Sequence, residues 1–282
     1  MNYNPTVDTS TLFTNPGFDR GMDSVWYYED HQSNNVIVKK FSEGLISETM
    51  IDEFINSDND DFYPDDFTWL YNLYQRTGTP YHNLQVIVKD KVLQEYNYIR
   101  GYHGTRVVNQ ETFLAQGINP FNPSSLNEQA RSIFFNNIPN LSEEHFQCAI
   151  SSASLYRNAR AEGHEMGVNF VLNQHILVSR GCTHYLEQGS EYIQTLAGKL
   201  NQLGYRASNV LMENGAPYIL VCNIPLKYIE ERLLQNLISQ CIYDYFLQLI
   251  EDTSNYIPQA GVTIQTGLPP ELITSIIEVP MK

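Results

Sequence analysis

A β-prone run, Tyr96 to Tyr102, leads straight into His103-Gly104-Thr105-Arg106, and a short helical stretch from Glu111 stops at Gly117. A strand followed so closely by a helix reads as part of a mixed α and β domain. The histidine at its end matters for a second reason. With glycine beside it, it can offer one ring nitrogen to a ligand lying on the backbone, since only glycine lets a flat ligand approach without meeting a Cβ. Alone, the same pattern describes a satisfied histidine at a strand end, so its meaning depends on the rest of the chain.

Before this stretch, residues 1–24 read as an irregular arm rich in Asn, Thr, Asp, Pro and Gly, pinned by Phe13 and Phe18. Trp26 to Tyr28 and Val36 to Phe41 read as strands, with Asn34-Asn35 as a turn. Ser47 is a cap for a helix with Met50, Ile51, Phe54 and Ile55 inward. An acidic stretch from Ser57 to Asp66 invites a calcium reading, but counting from Asp58 the positions that need Gly and Glu hold Tyr63 and Trp69. It reads as a solvated loop. Asp66 caps a helix carrying Trp69, Leu70 and Leu73, ended by Gly78 and Pro80, and Leu84 to Val88 reads as a strand. Residues 1–95 are therefore expected to form an accessory region, and 96–282 the main domain.

The second part mixes the two periods. Ser142 caps a helix to about Ala161, and Val168 to Leu172 and His175 to Ser179 read as strands. Ser190 opens a helix with Ile193, Leu196, Ala197 and Leu200 on one face. Tyr218 to Cys222 is an apolar strand, and Lys227 to Leu249 the longest helix, with Ile229, Leu233, Leu237, Cys241 and Tyr245 four apart. Val262 to Ile264 is a last strand, before a turn and short helix at Leu268 to Ile273.

Composition narrows the function. The chain has 282 residues, 12% of them aromatic, and a formal charge of −15, which disfavours non-specific binding to nucleic acid or anionic membrane. Three of its few cations, Arg100, Arg106 and Arg180, fall near the stretches of interest. The cysteines, Cys148, Cys182, Cys222 and Cys241, form no CxxC and no zinc-ligand spacing. No apolar run approaches a membrane span and no signal-peptide profile opens the chain, so a reduced cytoplasmic setting is expected. Also missing are GxxxxGK[ST], strand–GxGxxG–helix, GxSxG and HExxH.

The second stretch of interest, Ile176 to Tyr192, reads as a strand, a loop and a helix beginning at Ser190, with Tyr185 in the loop and Tyr192 in the first helical turn. Two such tyrosines could sandwich a planar heteroaromatic ring, and a cationic ring would add a cation–π contribution of about 1–2 kcal/mol if desolvated.

The succession of a strand ending Tyr-His-Gly-Thr, a helix closed by Gly117, a Ser- and Tyr-bearing strand–loop–helix, a strand at Ile224 to Ile229 and a second leading to Leu268-Pro269-Pro270-Glu271-Leu272-Ile273 resembles the diphtheria-toxin-like ADP-ribosyltransferase superfamily, which uses a His–Tyr–Glu triad. The resemblance covers about residues 97–282. It implies an α+β fold with a split, curved β core and flanking helices, NAD as substrate and a macromolecular acceptor, protein, RNA or DNA. It further implies that His103 hydrogen-bonds the nicotinamide ribose, that Gly104 and Thr105 contact the nicotinamide amide, and that Arg106 helps the phosphates or adenosine. Tyr185 or Tyr192 would stack on the nicotinamide ring, with Ser190 beside them. The family's third member is an acid at the edge of a late strand. Here Gln259 or Gln265 stands in that place, able to accept a hydrogen bond but not to act as a carboxylate base. Glu251, Glu213 and Glu191 are the alternative acids.

The family also implies a toxin or defence setting, with an antitoxin or inhibitor protein as partner. Two alternatives accompany this expectation: an NAD glycohydrolase or inactive NAD-binding module of the same fold, and an acidic interaction protein without catalysis. The tRNA 2′-phosphotransferases share the fold, but their set of arginines is not seen here.

Overall fold

The structure, a computed structural model, describes residues 24–57, 62–63, 66–162, 166–178, 182–250 and 260–280. The N-terminal arm, most of the acidic stretch, Arg180, Glu251 and Gln259 lie outside the described residues. In chain order the elements are β1 (Val25–Trp26), α1 (His31–Phe41), α2 (Glu48–Asn56), α3 (Thr68–Thr77), α4 (Leu84–Glu95), β2 (Tyr98–Val107), α5 (Glu111–Gln116), α6 (Pro123–Asn137) and α7 (Glu143–Glu162). They continue with β3 (Val168–Val171), α8 (Gln174–Val178), α9 (His184–Gln188), α10 (Glu191–Gln202), α11 (Ala207–Glu213), β4 (Ala216–Pro225), α12 (Glu231–Ile250), β5 (Gly261–Ile264) and β6 (Ile273–Glu278). The fold is mixed α and β, with an open six-stranded sheet.

The chain divides into two compact units. The first, helical, comprises the described residues within Met22–Arg100 and Pro225–Ala260. The division thus falls at Gly101 instead of 96, and α12 groups with the N-terminal residues instead of with the domain that follows them. Here α12 packs on α1, α2 and α4, and the rings of Phe54, Trp69 and Phe246 meet edge-on or tilted at 5.0–5.7 Å between centroids. The expected strand at Val36 to Phe41 is helix α1 instead. Its inward positions are Asn34, Ile37, Val38 and Phe41, while Val36 is 63% exposed. Asn34 is no turn residue. Buried, it accepts from Trp26 Nε1 at 2.9 Å and donates to the Tyr28 carbonyl at 2.6 Å. A polar side chain satisfied inside the core hid the helical period. Leu84 to Val88 is likewise helical, capped by Asn83, with Leu84, Val88 and Val92 buried four apart.

The second unit comprises the described residues within Gly101–Ile224 and Gly261–Lys282. Strand order is β5-β3-β2-β4-β6, with β1 pairing in parallel with the first residues of β2. The β2–β3, β3–β5 and β4–β6 pairs are antiparallel, with Tyr102 opposite Val171 and Val168 opposite Ile264. One cluster, with Phe134, Phe146, Tyr192, Leu196 and Leu200, is built from α6, α7, α10 and α11. A smaller one joins Tyr102, Leu177, Leu186, Ile219 and Val221. The expected strand at His175 to Ser179 is helix α8, whose start is fixed by the Asn173 side chain accepting from His175 N at 2.9 Å. Ile224 to Ile229 is the end of β4 followed by a 3₁₀ turn. α6, α11 and β6 complete the unit and were not anticipated from the sequence.

Candidate functional site

Side chains alternate along β2. Tyr102 points into the cluster with Leu177 and Leu186. A Cβ on Gly104 would point the same way, 2.9 Å from Leu177 Cδ2 and 3.5 Å from Leu186 Cδ2. The missing side chain at Gly104 therefore makes room for two leucines, and the residue, like His103, also lines a cavity. His103 takes the other face, its ring 5.8 Å from that of Phe170.

His103 Nδ1 lies 2.9 Å from the main-chain oxygen of Asn169 on the neighbouring strand. A carbonyl only accepts, so Nδ1 carries the hydrogen and Nε2 of the neutral ring carries a lone pair. Loss of solvent around the ring lowers its pKa, an effect that the Asn169 bond opposes. The strand thus presents a fixed, neutral hydrogen-bond acceptor.

His103 lines a cavity of about 550 Å³, within the range of roughly 300–1,000 Å³ common for small-molecule sites. Gly104, Thr105, Arg106, Tyr185, Ser190, Glu191 and Tyr192 line it too. Further lining comes from Phe113 on α5, Phe121 and Asn122 in the segment before α6, Gln129 on α6, and Asn169 and Thr263 on the sheet. Sequence reading did not single out these walls. The Asn122-Pro123 start of α6 was the signal available: Asn122 Oδ1 accepts from Ser124 N and Ser125 N, and Pro stands in the first turn.

The two tyrosines differ. Tyr192 is 3% exposed and belongs to the helical core, edge-on to Phe121 at 5.4 Å, with its hydroxyl donating to Asn127 Oδ1 at 2.8 Å. Tyr185 is half-buried on α9 and donates to Glu191 Oε1 at 2.6 Å. Ser190 takes the N-cap position of α10 but makes no side-chain bond to the helix.

Arg106 serves the wall. Its Nε, Nη1 and Nη2 donate to the carbonyls of Asn214, Leu186 and Gly215 at 3.1, 3.3 and 2.9 Å, and burial lowers its pKa. Gly189, at φ +78°, brings the end of α9 against it, where a Cβ would lie 3.2 Å from the Arg106 oxygen.

Comparison with protein-family models, with curated proteins and with solved structures finds no match for this chain. Its chemistry is therefore read from the side chains of the cavity themselves. Of the alternative acids, Glu213 ends α11 and is not among the residues lining the cavity, and Glu191 is part of that lining. Among the described residues no three His, Cys, Asp or Glu side chains cluster as metal ligands, and no helix is long and apolar enough to cross a membrane.

Proposed function

We propose that this chain is an NAD-dependent ADP-ribosyltransferase, its second unit being an ADP-ribosyltransferase-like domain with a curved sheet and flanking helices. One observation carries the reading. His103 and Thr105 on β2, and Tyr185 and Ser190 much later in the chain, line a single cavity in which the histidine is held as a neutral acceptor.

Each feature suits cleavage of a nicotinamide–ribose bond. A ribose hydroxyl donates to His103 Nε2, which fixes the sugar without adding positive charge beside the forming oxocarbenium ion. The Tyr185 ring stacks on the cationic pyridine, a contact that cation–π attraction strengthens by about 1–2 kcal/mol when water is excluded. Thr105 and the Ser190 hydroxyl supply polar contacts for the carboxamide. Arg106, committed to main-chain carbonyls, holds the wall and leaves the phosphates to other groups.

NAD labelled in the nicotinamide ring, and in a parallel reaction in the adenine, tests the reading. Nicotinamide release together with adenine label on protein, RNA or DNA supports a transferase. Release with free ADP-ribose alone identifies a glycohydrolase. Binding without release identifies an NAD-binding module.

A further inference from the structure

Among the described residues that line the cavity, Glu191 is the one carboxylate. It stands in the first turn of α10. The Tyr185 hydroxyl holds its Oε1 at 2.6 Å, and His184 Nε2 lies 3.5 Å from the same oxygen. The His184 and Tyr185 rings pack with centroids 4.0 Å apart. His184 is not part of the cavity lining, and its side chain keeps 36% of its exposure. A carboxylate at the cavity wall is thus backed by an imidazole that reaches water.

From this juxtaposition we infer that Glu191 takes the proton of the attacking nucleophile, an O–H of water or of the acceptor, and that His184 relays it to solvent. The inference rests on the NAD reading above. In the step, the bond between ribose C1′ and the pyridine nitrogen breaks with its electron pair going to the ring, which leaves as neutral nicotinamide. The nucleophile's oxygen forms the new bond to C1′, and its proton passes to the Glu191 carboxylate. Glu191 then gives the proton to His184 Nε2, and His184 releases it to bulk water, so the carboxylate is restored for the next turnover. Glu191 is catalytic in this scheme. His184 acts through it, and Tyr185 fixes the carboxylate's orientation as well as offering its ring.

The test is nicotinamide release at saturating NAD, with NAD affinity measured by calorimetry and folding by thermal midpoint. Glu191→Gln keeps the shape and removes the base, so turnover should fall by about 100-fold or more while NAD affinity stays within about threefold. Glu191→Asp, which withdraws the carboxylate by one methylene, should retain part of the activity. His184→Ala should lose about tenfold in turnover with NAD affinity unchanged, and added imidazole should restore it, a rescue that a merely structural role would not show. Wild-type turnover matched by Glu191→Gln, or a Glu191→Gln loss confined to NAD affinity, overturns the assignment while leaving the NAD reading intact. A wild-type chain that releases no nicotinamide overturns the NAD reading, and the assignment with it.

Discussion

The imidazole of His103 donates through Nδ1 to the main-chain oxygen of Asn169, 2.9 Å away on the adjacent antiparallel strand. Sheet pairing thus fixes the tautomer of the one histidine that lines the cavity among the described residues. The consequence is a pH dependence with a definite sign. The unfolded chain binds a proton here near the ordinary value of about 6.5. The folded chain binds it only at lower pH, because burial disfavours the charged ring. Between those points the unfolded state carries more protons, so this residue makes stability rise with pH and fall on acidification. Urea unfolding across mildly acidic to neutral pH should show a shallower slope for His103→Gln than for the wild type.

The tyrosines should separate by turnover. Tyr192→Phe removes a part-buried hydrogen bond to Asn127 and should cost about 0.5–1.5 kcal/mol of stability, with little change in NAD turnover. Tyr185→Ala removes a half-buried ring from the cavity wall and should lower kcat/KM for NAD by about tenfold or more, in line with the loss of a stacking contact, with some loss of thermal midpoint because the ring also packs on the cluster around Leu177 and Leu186. Denaturant midpoints and nicotinamide release on both variants check the contrast.

Much of the second unit was legible because its signals are local. Ser142 caps α7 through a bond to His145 N, Gly117 ends α5, and the apolar run at Tyr218 to Cys222 lies within a strand buried along nearly its whole length. The three helices expected as strands share one cause. Val36-Ile37-Val38, Val86-Ile87-Val88 and Ile176-Leu177-Val178 are β-branched or apolar triplets that favour strands by propensity, yet each lies in a helix whose cap is an asparagine or whose buried face includes one. Tertiary burial of Asn34 and capping by Asn83 and Asn173 decided the period. At the site, Ser190 stands at a helix start as expected, whereas His103, expected at a strand end, lies in the middle of β2 because the strand runs on to Val107, and Tyr185, expected in a loop, lies on α9. The pairing of Tyr185 with Glu191 could not be read from the sequence, since a six-residue separation across two helices has no sequence period.

Arg106 should prove structural. It donates to three main-chain carbonyls, of Asn214, Leu186 and Gly215, and a lysine cannot reproduce that fork. Arg106→Lys should destabilise the chain by about 2–4 kcal/mol, since charged hydrogen bonds contribute about 1.5–3 kcal/mol each and do not add fully. Urea unfolding gives the number, and the KM for NAD of the folded fraction should stay within a few-fold of the wild type.

Gly104→Ala tests the packing on the other face of β2. The new methyl would meet Leu177 Cδ2 at 2.9 Å, the end of a side chain that can shift, so the overpacking should cost about 1 kcal/mol, the low end of the usual range. Combining it with Leu177→Val should recover part of the loss, so that the two changes together cost less than their sum.

The most direct measurement of the central claim is the rate of nicotinamide release from NAD by the full chain and by His103→Ala, each shown to be folded by its thermal midpoint. The account predicts release by the wild type and a fall of about 100-fold or more in kcat/KM for the variant, as expected when a ribose-orienting contact is removed from a site that works by positioning. Equal rates from the two folded proteins, or no release from the wild type, would contradict it.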